Sequence, residues 1–327
     1  KGVPSPRRVA ASVCMGARST LRNPLAFSLT CSLLVLQALG ETPSADKQCS
    51  NAMKGRMALV TGATGQIGRE IALGVARSGY TTILTCRDEE RGGKLVQEIA
   101  TESGGDVRLE VVDLSSVKSI KSLASQLSDK YPELHLLVNN AATTEQTRKL
   151  STDGLEMQFA VNVQAYLSLM KSLAPLLSKA GATPGGQSAR VVNVASQYAG
   201  LMDVTDLNFE KREYDATTAY KQSKQANRMI TKSAAAELFA GGGVTVMACH
   251  PGVVTSPLLQ NLGVQRGNDT PAEGAATPLL LALGPAVEGK TAGYYVSQKA
   301  YDCPYQKDAA GCATVWAYCD QVHERVN

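Results

Sequence analysis

The sequence predicts an α/β fold in which a single, doubly wound parallel β-sheet carries helices on both faces. Six short apolar runs rich in β-branched residues alternate with longer segments of helical period from residue 57 onward. Each intervening segment is long enough to cross over between parallel strands. No internal repeat and no long polar linker divides the chain, which favours one domain over two.

The predicted strands are MALVT, TTILT, VRLEVV, LHLLV, RVVNV and VTVMA, followed by a seventh, GYYVS, at residues 293–297. Helices are predicted over residues 66–78, 89–101, 117–130, 154–177, 218–239 and 271–283, with a terminal helix near 313–322. Open sheets of this type bind ligands beyond the carboxyl ends of their strands. The turns that lead from strands into helices are therefore where chemistry is expected.

The distribution of charge argues against nucleic acid as a partner. The chain carries 33 basic and 29 acidic residues, but residues 1–53 hold six of the basic and only two of the acidic ones. The remainder is neutral, with 27 of each. A neutral body lacks the basic surface that releases counterions from a phosphate backbone, so we expect no nucleic-acid binding.

Residues 1–53 are interpreted as a targeting leader and residues 54–327 as the α/β domain. After Met15, two arginines precede an apolar stretch at residues 25–39 that ends in the small-residue pattern Ala38-Leu39-Gly40. This pattern favours a secretory signal peptide; a membrane anchor, for which the stretch is short, and an organelle transit peptide remain alternatives. We expect the secretory pathway, the endoplasmic reticulum or another organelle rather than simply the cytoplasm.

The cysteines and histidines predict neither a metal site nor a redox pair. None of the eight cysteines has C-x-x-C spacing, and the three histidines are scattered. Ordinary thiols are expected in a domain of this size. Disulfide pairing among the cysteines of the terminal segments stays open: Cys49, Cys303, Cys312 and Cys319.

A glycine-rich turn follows the first predicted strand. The segment TGATGQIG places Gly62, Gly65 and Gly68 between this strand and the first helix. Glycines there permit a tight turn and let a pyrophosphate approach the helix N-terminus, whose dipole favours negative charge. The turn therefore predicts a dinucleotide site.

The end of the second strand indicates which dinucleotide is preferred. Arg87 offers a planar guanidinium to a 2′-phosphate, and Asp88 comes one position later than an acid that would bind a ribose 2′-hydroxyl. This arrangement favours NADP(H). Asp113, which closes the third strand, is expected either to contact the adenine or to serve as a helix cap or loop acid.

Tyr220 and Lys224 lie four residues apart in a strongly helical stretch, so they share one face of a helix. A neighbouring ammonium is expected to lower the pKa of the phenol, which can then exchange a proton with a carbonyl or alcohol oxygen. Tyr295 and Lys299 have the same spacing, but along one extended strand they would lie about 13 Å apart. Tyr220 and Lys224 are therefore the predicted pair.

Two further polar residues fit the same chemistry. Ser196 follows the fifth strand, where its hydroxyl can polarise a carbonyl. Asn162 is a poor helix former inside a helical segment, and its amide could hold a water that relays protons to Lys224. Either residue alone would be an ordinary turn or helix residue.

Taken together, these residues resemble the short-chain dehydrogenase/reductase family over residues 54–327. TGATGQIG is similar to the cofactor loop of that family, NNAA at residues 139–142 to its NNAG motif, and HPGVVTSPL to the segment that covers the nicotinamide. Within the family, TCRDEERG, AYKQSKQAN and HPGVV look most like the retinol-dehydrogenase-like branch. That branch generally prefers NADP(H).

The resemblance implies a Rossmann-type sheet and a catalytic tetrad of Asn162, Ser196, Tyr220 and Lys224. In reduction, Tyr220 would protonate the nascent alkoxide, while Lys224 lowers its pKa and binds the nicotinamide ribose. Besides Tyr220 and Lys224, the implied cofactor-binding residues are Gly62, Thr64, Gly65, Gln66, Ile67, Gly68, Arg87, Asp113, Leu114, Asn140, Ala141, Ala142, Pro251, Gly252, Val254 and Thr255.

The expected substrate is a small molecule with a carbonyl or alcohol group and an apolar, retinoid-, steroid- or lipid-like body. The candidate pocket residues follow Ser196 or Thr255 and are Leu201, Met202, Val204, Leu258, Leu259, Leu262 and Val264. Ordinary core packing is the alternative for these side chains. The glycine spacing leaves open a nucleotide-sugar epimerase or reductase of the extended type, and a non-catalytic subunit could also keep the fold.

Overall fold

The computed structural model describes residues 53–182 and 186–326. The predicted leader lies outside the described residues apart from Met53, so its interpretation as a targeting segment stays a prediction. Within the described ranges, no helix combines the length and apolarity that a membrane span requires.

Eight strands form one sheet in the order β3-β2-β1-β4-β5-β6-β7-β8, and all neighbours are parallel except the last pair. The strands are β1 (Met57–Thr61), β2 (Thr81–Cys86), β3 (Val107–Val111), β4 (Leu136–Asn139), β5 (Ala189–Val194), β6 (Val244–His250), β7 (Tyr294–Val296) and β8 (Lys299–Tyr301). This is the Rossmann-type sheet that the sequence predicts.

The helices cover both faces of the sheet. They are α1 (Gln66–Arg77), α2 (Glu89–Ser103), α3 (Val117–Lys130), α4 (Met157–Phe159, a π-helical turn at Ala160–Gln164, and Ala165–Gly181), α5 (Ala216–Ser233 with a π-helical turn at Ala234–Leu238), α6 (Pro257–Asn261), α7 (Pro271–Leu283), α8 (Pro304–Lys307) and α9 (Ala309–Arg325). A 3₁₀ turn at Pro285–Val287 follows α7. The doubly wound architecture is confirmed.

Two hydrophobic cores explain why the strands are apolar throughout. In β1, Met57 and Leu59 belong to the core shared with α3, α4, α5 and α9, whereas Ala58 and Val60 belong to the core shared with α1, α2 and α7. All five residues of β1 are buried. Successive side chains of a strand point to opposite faces, so a strand covered on both faces needs a continuous apolar run.

The strand order reverses between β1 and β4, and this reversal opens a crevice at their carboxyl ends. Gly62, at the end of β1, has a positive φ of 68°, and a Cβ there would lie 2.7 Å from the Cα of Ala141, which follows β4. Only glycine fits this position. The two strand ends can therefore approach closely at the mouth of the crevice.

The last two strands correct the prediction for residues 293–297. β7 is followed by a turn at Ser297 and Gln298, whose φ values are 46° and 62°, and the chain returns as the antiparallel β8. Tyr295 and Lys299 therefore lie on different strands, and the separation of about 13 Å expected along one strand is wrong. Two-residue hairpin turns usually contain glycine or asparagine, and the turn at Ser297 and Gln298 contains neither.

Three predicted helix starts also shift, because a capping side chain sets each boundary. Glu156 accepts backbone N–H bonds from the first turn of α4, Asp215 caps α5 and Asp308 caps α9. These helices begin at Met157, Ala216 and Ala309 instead of residues 154, 218 and 313.

The cysteines of the described residues are free thiols, and those residues contain no cluster of His, Cys, Asp or Glu suited to a metal ion.

Candidate active site

A cavity of about 1200 Å³ lies beyond the carboxyl ends of the central strands. Its wall consists of the glycine turn after β1, the ends of β2 and β3, and the segments that follow β4, β5 and β6. The predicted cofactor residues all line it except Thr255. The Thr255 hydroxyl instead accepts the backbone N–H of Gly267 at 2.9 Å, so it holds its own loop together.

The glycine turn forms a cradle that side chains would fill. A Cβ at Gly68 would come within 2.1 Å of the carbonyl oxygen of Gly62, so only glycine lets the first turn of α1 pack this closely against the end of β1. The first turn of α1 contains no acidic residue to neutralise the positive end of the helix dipole. A pyrophosphate group fits both features, since it needs close backbone approach and favours this end of a helix.

Two arginines line the end of the cavity beside β2. Arg87 is exposed and makes no hydrogen bond to any described residue, whereas Arg91 donates to the carbonyl oxygen of Thr64 at 3.2 Å. Asp88 is committed to the helix, because its carboxylate accepts the backbone N–H of Arg91 at 3.0 Å. Sequence reasoning missed Arg91. The one feature that could have indicated a cofactor-binding role is its position in the first turn of α2, close to the end of β2.

Asp113 lines the same end of the cavity but does not cap α3. Its carboxylate accepts the backbone N–H and the hydroxyl of Ser115, at 2.9 and 2.8 Å. Ser116 is the cap, since its hydroxyl accepts the backbone N–H of Ser119. Of the expected roles of Asp113, helix capping is therefore wrong.

Tyr220 and Lys224 meet on the inner face of α5. Both line the cavity, and their exposed fractions are only 7% and 2%. The Lys224 amine lies 5.7 Å from the centroid of the Tyr220 ring and donates to the carbonyl oxygen of Val194 at 3.0 Å. The cap at Asp215 starts α5 one turn before Tyr220 and so sets the helical register of both side chains.

Burial dominates the ionisation of this pair. It raises the pKa of Tyr220 to about 12, with a smaller opposing effect of the Ser196 hydroxyl, and it lowers the pKa of Lys224 to about 7. The sequence-based expectation that Lys224 lowers the pKa of Tyr220 is therefore wrong for this geometry. The phenol keeps its proton at neutral pH and is available as a proton donor.

Ser196 lies two residues beyond β5 and lines the cavity beside Tyr220. Its hydroxyl oxygen accepts the backbone N–H of Tyr198 at 3.0 Å. The hydroxyl hydrogen then remains available as a donor. A donor here can polarise a carbonyl oxygen that also faces Tyr220.

Asn162 does not line the cavity. It lies in the π-helical turn of α4, where its side-chain oxygen accepts from the N–H of Thr143 and its amide donates to the Thr143 carbonyl and to the Ser223 hydroxyl, at 2.8, 3.1 and 3.0 Å. Its backbone carbonyl accepts from the side-chain amide of Asn227 at 2.6 Å. Asn162 thus ties the segment after β4 to α5, directly behind the cavity wall.

The predicted apolar wall is half right. Leu258, Leu259, Leu262 and Val264 line the cavity, but Leu201, Met202 and Val204 do not. Leu201 has a positive φ of 59° and is 62% exposed, while Met202 packs against the core. Further wall residues that sequence reasoning missed include Glu145, Met157, Val161 and Tyr198. The four-residue spacing of Met157 and Val161 on α4 was their only signal.

Comparison with known proteins identifies the family to which the chain belongs. Residues 56–267 match the family model described as short chain dehydrogenase. The chain therefore belongs to the short-chain dehydrogenase/reductase family, oxidoreductases that act on alcohol and carbonyl groups with nicotinamide cofactors. Within this family it falls in the retinol-dehydrogenase-like branch, as its relatives indicate.

Two mouse proteins represent these relatives. Retinol dehydrogenase 13 of Mus musculus is 38% identical over 64% of this chain, and the match spans 62% of that protein, less than two thirds of its length. Retinol dehydrogenase 14 of Mus musculus is 32% identical over 81% of this chain and 84% of that protein. Among solved structures, the NADP active-site complex of RhlG from Pseudomonas aeruginosa matches with a TM-score of 0.59 and 26% identity, covering 75% of this chain and 95% of that one.

Proposed function

We propose that this protein is an NADP(H)-dependent oxidoreductase that moves a hydride between the nicotinamide and a carbonyl or alcohol carbon of an apolar substrate. One observation carries the proposal. Tyr220, Lys224 and Ser196 line the same cavity as the glycine cradle at the N-terminus of α1. The proton donor and the dinucleotide cradle thus belong to one cavity.

The cradle of Gly62, Gly65 and Gly68 would hold the pyrophosphate. Arg87 would pair with the 2′-phosphate of NADP(H). Arg91 lines the same end of the cavity and would add a second positive charge near this phosphate. The remaining predicted cofactor residues that line the cavity would surround the rest of the dinucleotide. When bound, the cofactor supplies or accepts the hydride.

The side chains of the chain would handle the proton. Tyr220 donates it to the carbonyl oxygen during reduction, and Ser196 polarises the same oxygen by hydrogen bonding. Lys224 lies beside the phenol and would contact the nicotinamide ribose. Asn162 supports the proton relay by fixing the segment from Thr143 against α5.

The apolar residues of the cavity lining support an apolar substrate. Leu258, Leu259 and Leu262 after β6 line the same cavity as Met157 and Val161 of α4. The names of the mouse relatives identify retinol as their substrate, which has this character. The carboxylate of Glu145 is the exception in this region, and it is paired with Lys149 at 2.7 Å.

A purified sample tests this function in two steps. NADPH and NADH are titrated first, and the loaded protein is then screened against retinal and other lipid aldehydes beside small polar ketones. We expect tighter binding of NADPH and faster turnover of the lipid-like set. Preference for the polar set would contradict the apolar substrate, tightly copurifying NAD would favour the epimerase alternative, and binding of neither dinucleotide would favour a non-catalytic role.

We also propose that residues 1–53 direct the protein to the secretory pathway, the endoplasmic reticulum or another organelle, and that residues 25–39 allow association with a membrane. The argument is the basic, acid-poor leader and its apolar stretch. Expression of the full chain and of residues 54–327, each with a C-terminal fluorescent tag, tests it. Identical cytoplasmic distributions of the two proteins would contradict it.

A further inference from the structure

A single peptide group beside the cavity is held at both ends by side chains from other elements. It joins Ser196 to Gln197. Its carbonyl oxygen, that of Ser196, accepts a hydrogen bond from the Nη2 of Arg228. Its N–H, that of Gln197, donates to the Nδ1 of His250 at 3.2 Å. Arg228 lies one helical turn beyond Lys224 on α5, and His250 is the last residue of β6.

Arg228 is not explained by packing alone. It is 4% exposed, and within the described residues it forms no ion pair with a carboxylate. Its guanidinium carbon lies 4.0 Å from the ring centroid of Tyr294 and 5.2 Å from that of Tyr305, so aromatic faces from the C-terminal segment stabilise the charge. Burying an unpaired cation is costly, and an apolar side chain would fill this space at less cost.

The hydrogen bond to Gln197 also fixes the state of His250. A backbone N–H can only donate, so the Nδ1 that accepts from it carries no proton and the neutral ring carries its hydrogen on Nε2. Burial and the nearby charge of Arg228 lower the pKa of His250 to about 4, which keeps the ring neutral at physiological pH. The Nδ1 of His250 can therefore accept the N–H of Gln197 throughout the physiological pH range.

We propose that Arg228 and His250 are positioning residues that clamp the Ser196–Gln197 peptide group and so set the direction in which the Ser196 hydroxyl donates. The proposal rests on the proposed function of Ser196 as the group that polarises the carbonyl. Without these two bonds the backbone torsions at Ser196 and Gln197 would be free to change, and those torsions set where the Ser196 hydroxyl and its donor, the N–H of Tyr198, lie relative to Tyr220. Misplacement by about 1 Å costs an enzyme up to about a hundredfold in rate.

Three variants at His250 separate the clamp from other roles. The side-chain oxygen of Asn can stand where Nδ1 stands, whereas the amide of Gln reaches the position of Nε2 and Leu offers neither. We expect kcat to fall about 10- to 100-fold in His250→Leu and in His250→Gln, with the Kd for NADPH changed less than about threefold. His250→Asn should recover most of the loss. Recovery by Gln in place of Asn, or unchanged kcat in His250→Leu, would overturn the proposal.

Arg228 provides an independent arm. Arg228→Met should lower kcat to a similar extent without weakening NADPH binding, and Arg228→Lys, which keeps a cationic donor, should lose less. The matched control is Arg190→Met, since Arg190 is equally buried but bonds to Glu288 and to the carbonyls of Leu281 and Gly284, away from the cavity. Equal kcat losses in Arg228→Met and Arg190→Met would assign the effect to general destabilisation and overturn the clamp.

A spectroscopic readout tests the clamp without turnover. The chain has only three histidines, so the ¹⁵N signals of His250 are identified by their loss in His250→Asn. At neutral pH we expect an unprotonated Nδ1 and a protonated Nε2. A proton on Nδ1 would overturn the proposal whether or not the protein shows activity. If the wild-type protein binds NADPH yet reduces nothing in the substrate panel, the proposed function fails. The protonation state of the His250 Nδ1 still tests the clamp in that case.

Discussion

The buried amine of Lys224 links the candidate active site to the stability of the fold. Its pKa is lowered from 10.5 to about 7 by burial, so the folded chain holds this proton less tightly than the unfolded chain does. Between about pH 7 and pH 10.5 the unfolded state therefore binds more protons at this residue, and its contribution to stability rises with pH. Below about pH 7 both states are protonated, and the contribution becomes constant.

Lys224→Met should remove this dependence. We expect the free energy of unfolding of the wild type, relative to Lys224→Met, to rise by up to about 1.4 kcal/mol per pH unit above about pH 7. Urea unfolding at pH values from about 6 to about 9 measures it. The exposed Lys232 on the same helix supplies the control variant Lys232→Met, for which no such trend is expected. A difference between wild type and Lys224→Met that stays flat with pH would contradict the account.

Arg87 should determine the preference between the two dinucleotides. In Arg87→Leu we expect the Kd for NADPH to rise about 10- to 100-fold, the value of a charge-assisted hydrogen bond, with little change for NADH. Fluorescence titration with both cofactors measures it. Arg77→Leu is the matched control, since Arg77 is exposed at the far end of α1 and pairs with Glu102. Equal losses for NADPH and NADH in Arg87→Leu would refute recognition of the 2′-phosphate.

At the scale of elements, the glycine turn joins β1 to α1 through one close contact. A Cβ at Gly68 would meet the carbonyl oxygen of Gly62 at 2.1 Å, whereas a Cβ at Gly65 would find its nearest neighbour at 3.5 Å. We expect Gly68→Ala to lose about 1–3 kcal/mol of stability by overpacking and Gly65→Ala to lose little. Urea unfolding of the two variants compares them. Equal stability would contradict the described turn.

Sequence patterns identify the parallel strands and their helices because each element repeats a clear period over many residues. The π-helical turn at Ala160–Gln164 escapes such reasoning, since a single five-residue turn is too short to show a period of its own in the sequence. Yet this turn is where the backbone carbonyl of Asn162 receives its bond from Asn227. The β7–β8 hairpin escapes it as well, because Ser297 and Gln298 adopt positive φ without the usual turn residues.

At the scale of the whole molecule, α9 packs across α4 and α5 and belongs to the main core. Val315, Trp316 and Cys319 of α9 are buried in the same hydrophobic cluster as the centre of the sheet. Trp316 is the only tryptophan of the chain, so its fluorescence reports directly on this contact. Fluorescence and far-UV circular dichroism should therefore give coincident urea transitions. Loss of the fluorescence change at lower urea would show that α9 unfolds separately.

The candidate site shows how far sequence reasoning reaches. The sequence identifies four site residues from their places in regular elements. Gly62 and Ser196 follow strands whose carboxyl ends meet at one edge of the sheet, and Tyr220 and Lys224 lie on one helix. The assignment of Leu201 to the cavity failed because its direction depends on a loop conformation with positive φ. Arg228 was not singled out, because its partners Ser196 and Tyr294 become neighbours only in the folded chain.

The central claim is that the phenol of Tyr220 delivers the proton in a cavity that also holds the dinucleotide. Tyr198 lines the same cavity, 6.4 Å from Tyr220 between ring centroids, and so provides a matched phenol. The measurement compares single-turnover oxidation of NADPH by retinal in the wild type, Tyr220→Phe and Tyr198→Phe, with NADPH binding measured in each. The account predicts that Tyr220→Phe binds NADPH normally but reacts at least about 100-fold more slowly, while Tyr198→Phe stays within a few-fold of the wild type. Near wild-type reduction by Tyr220→Phe would contradict it.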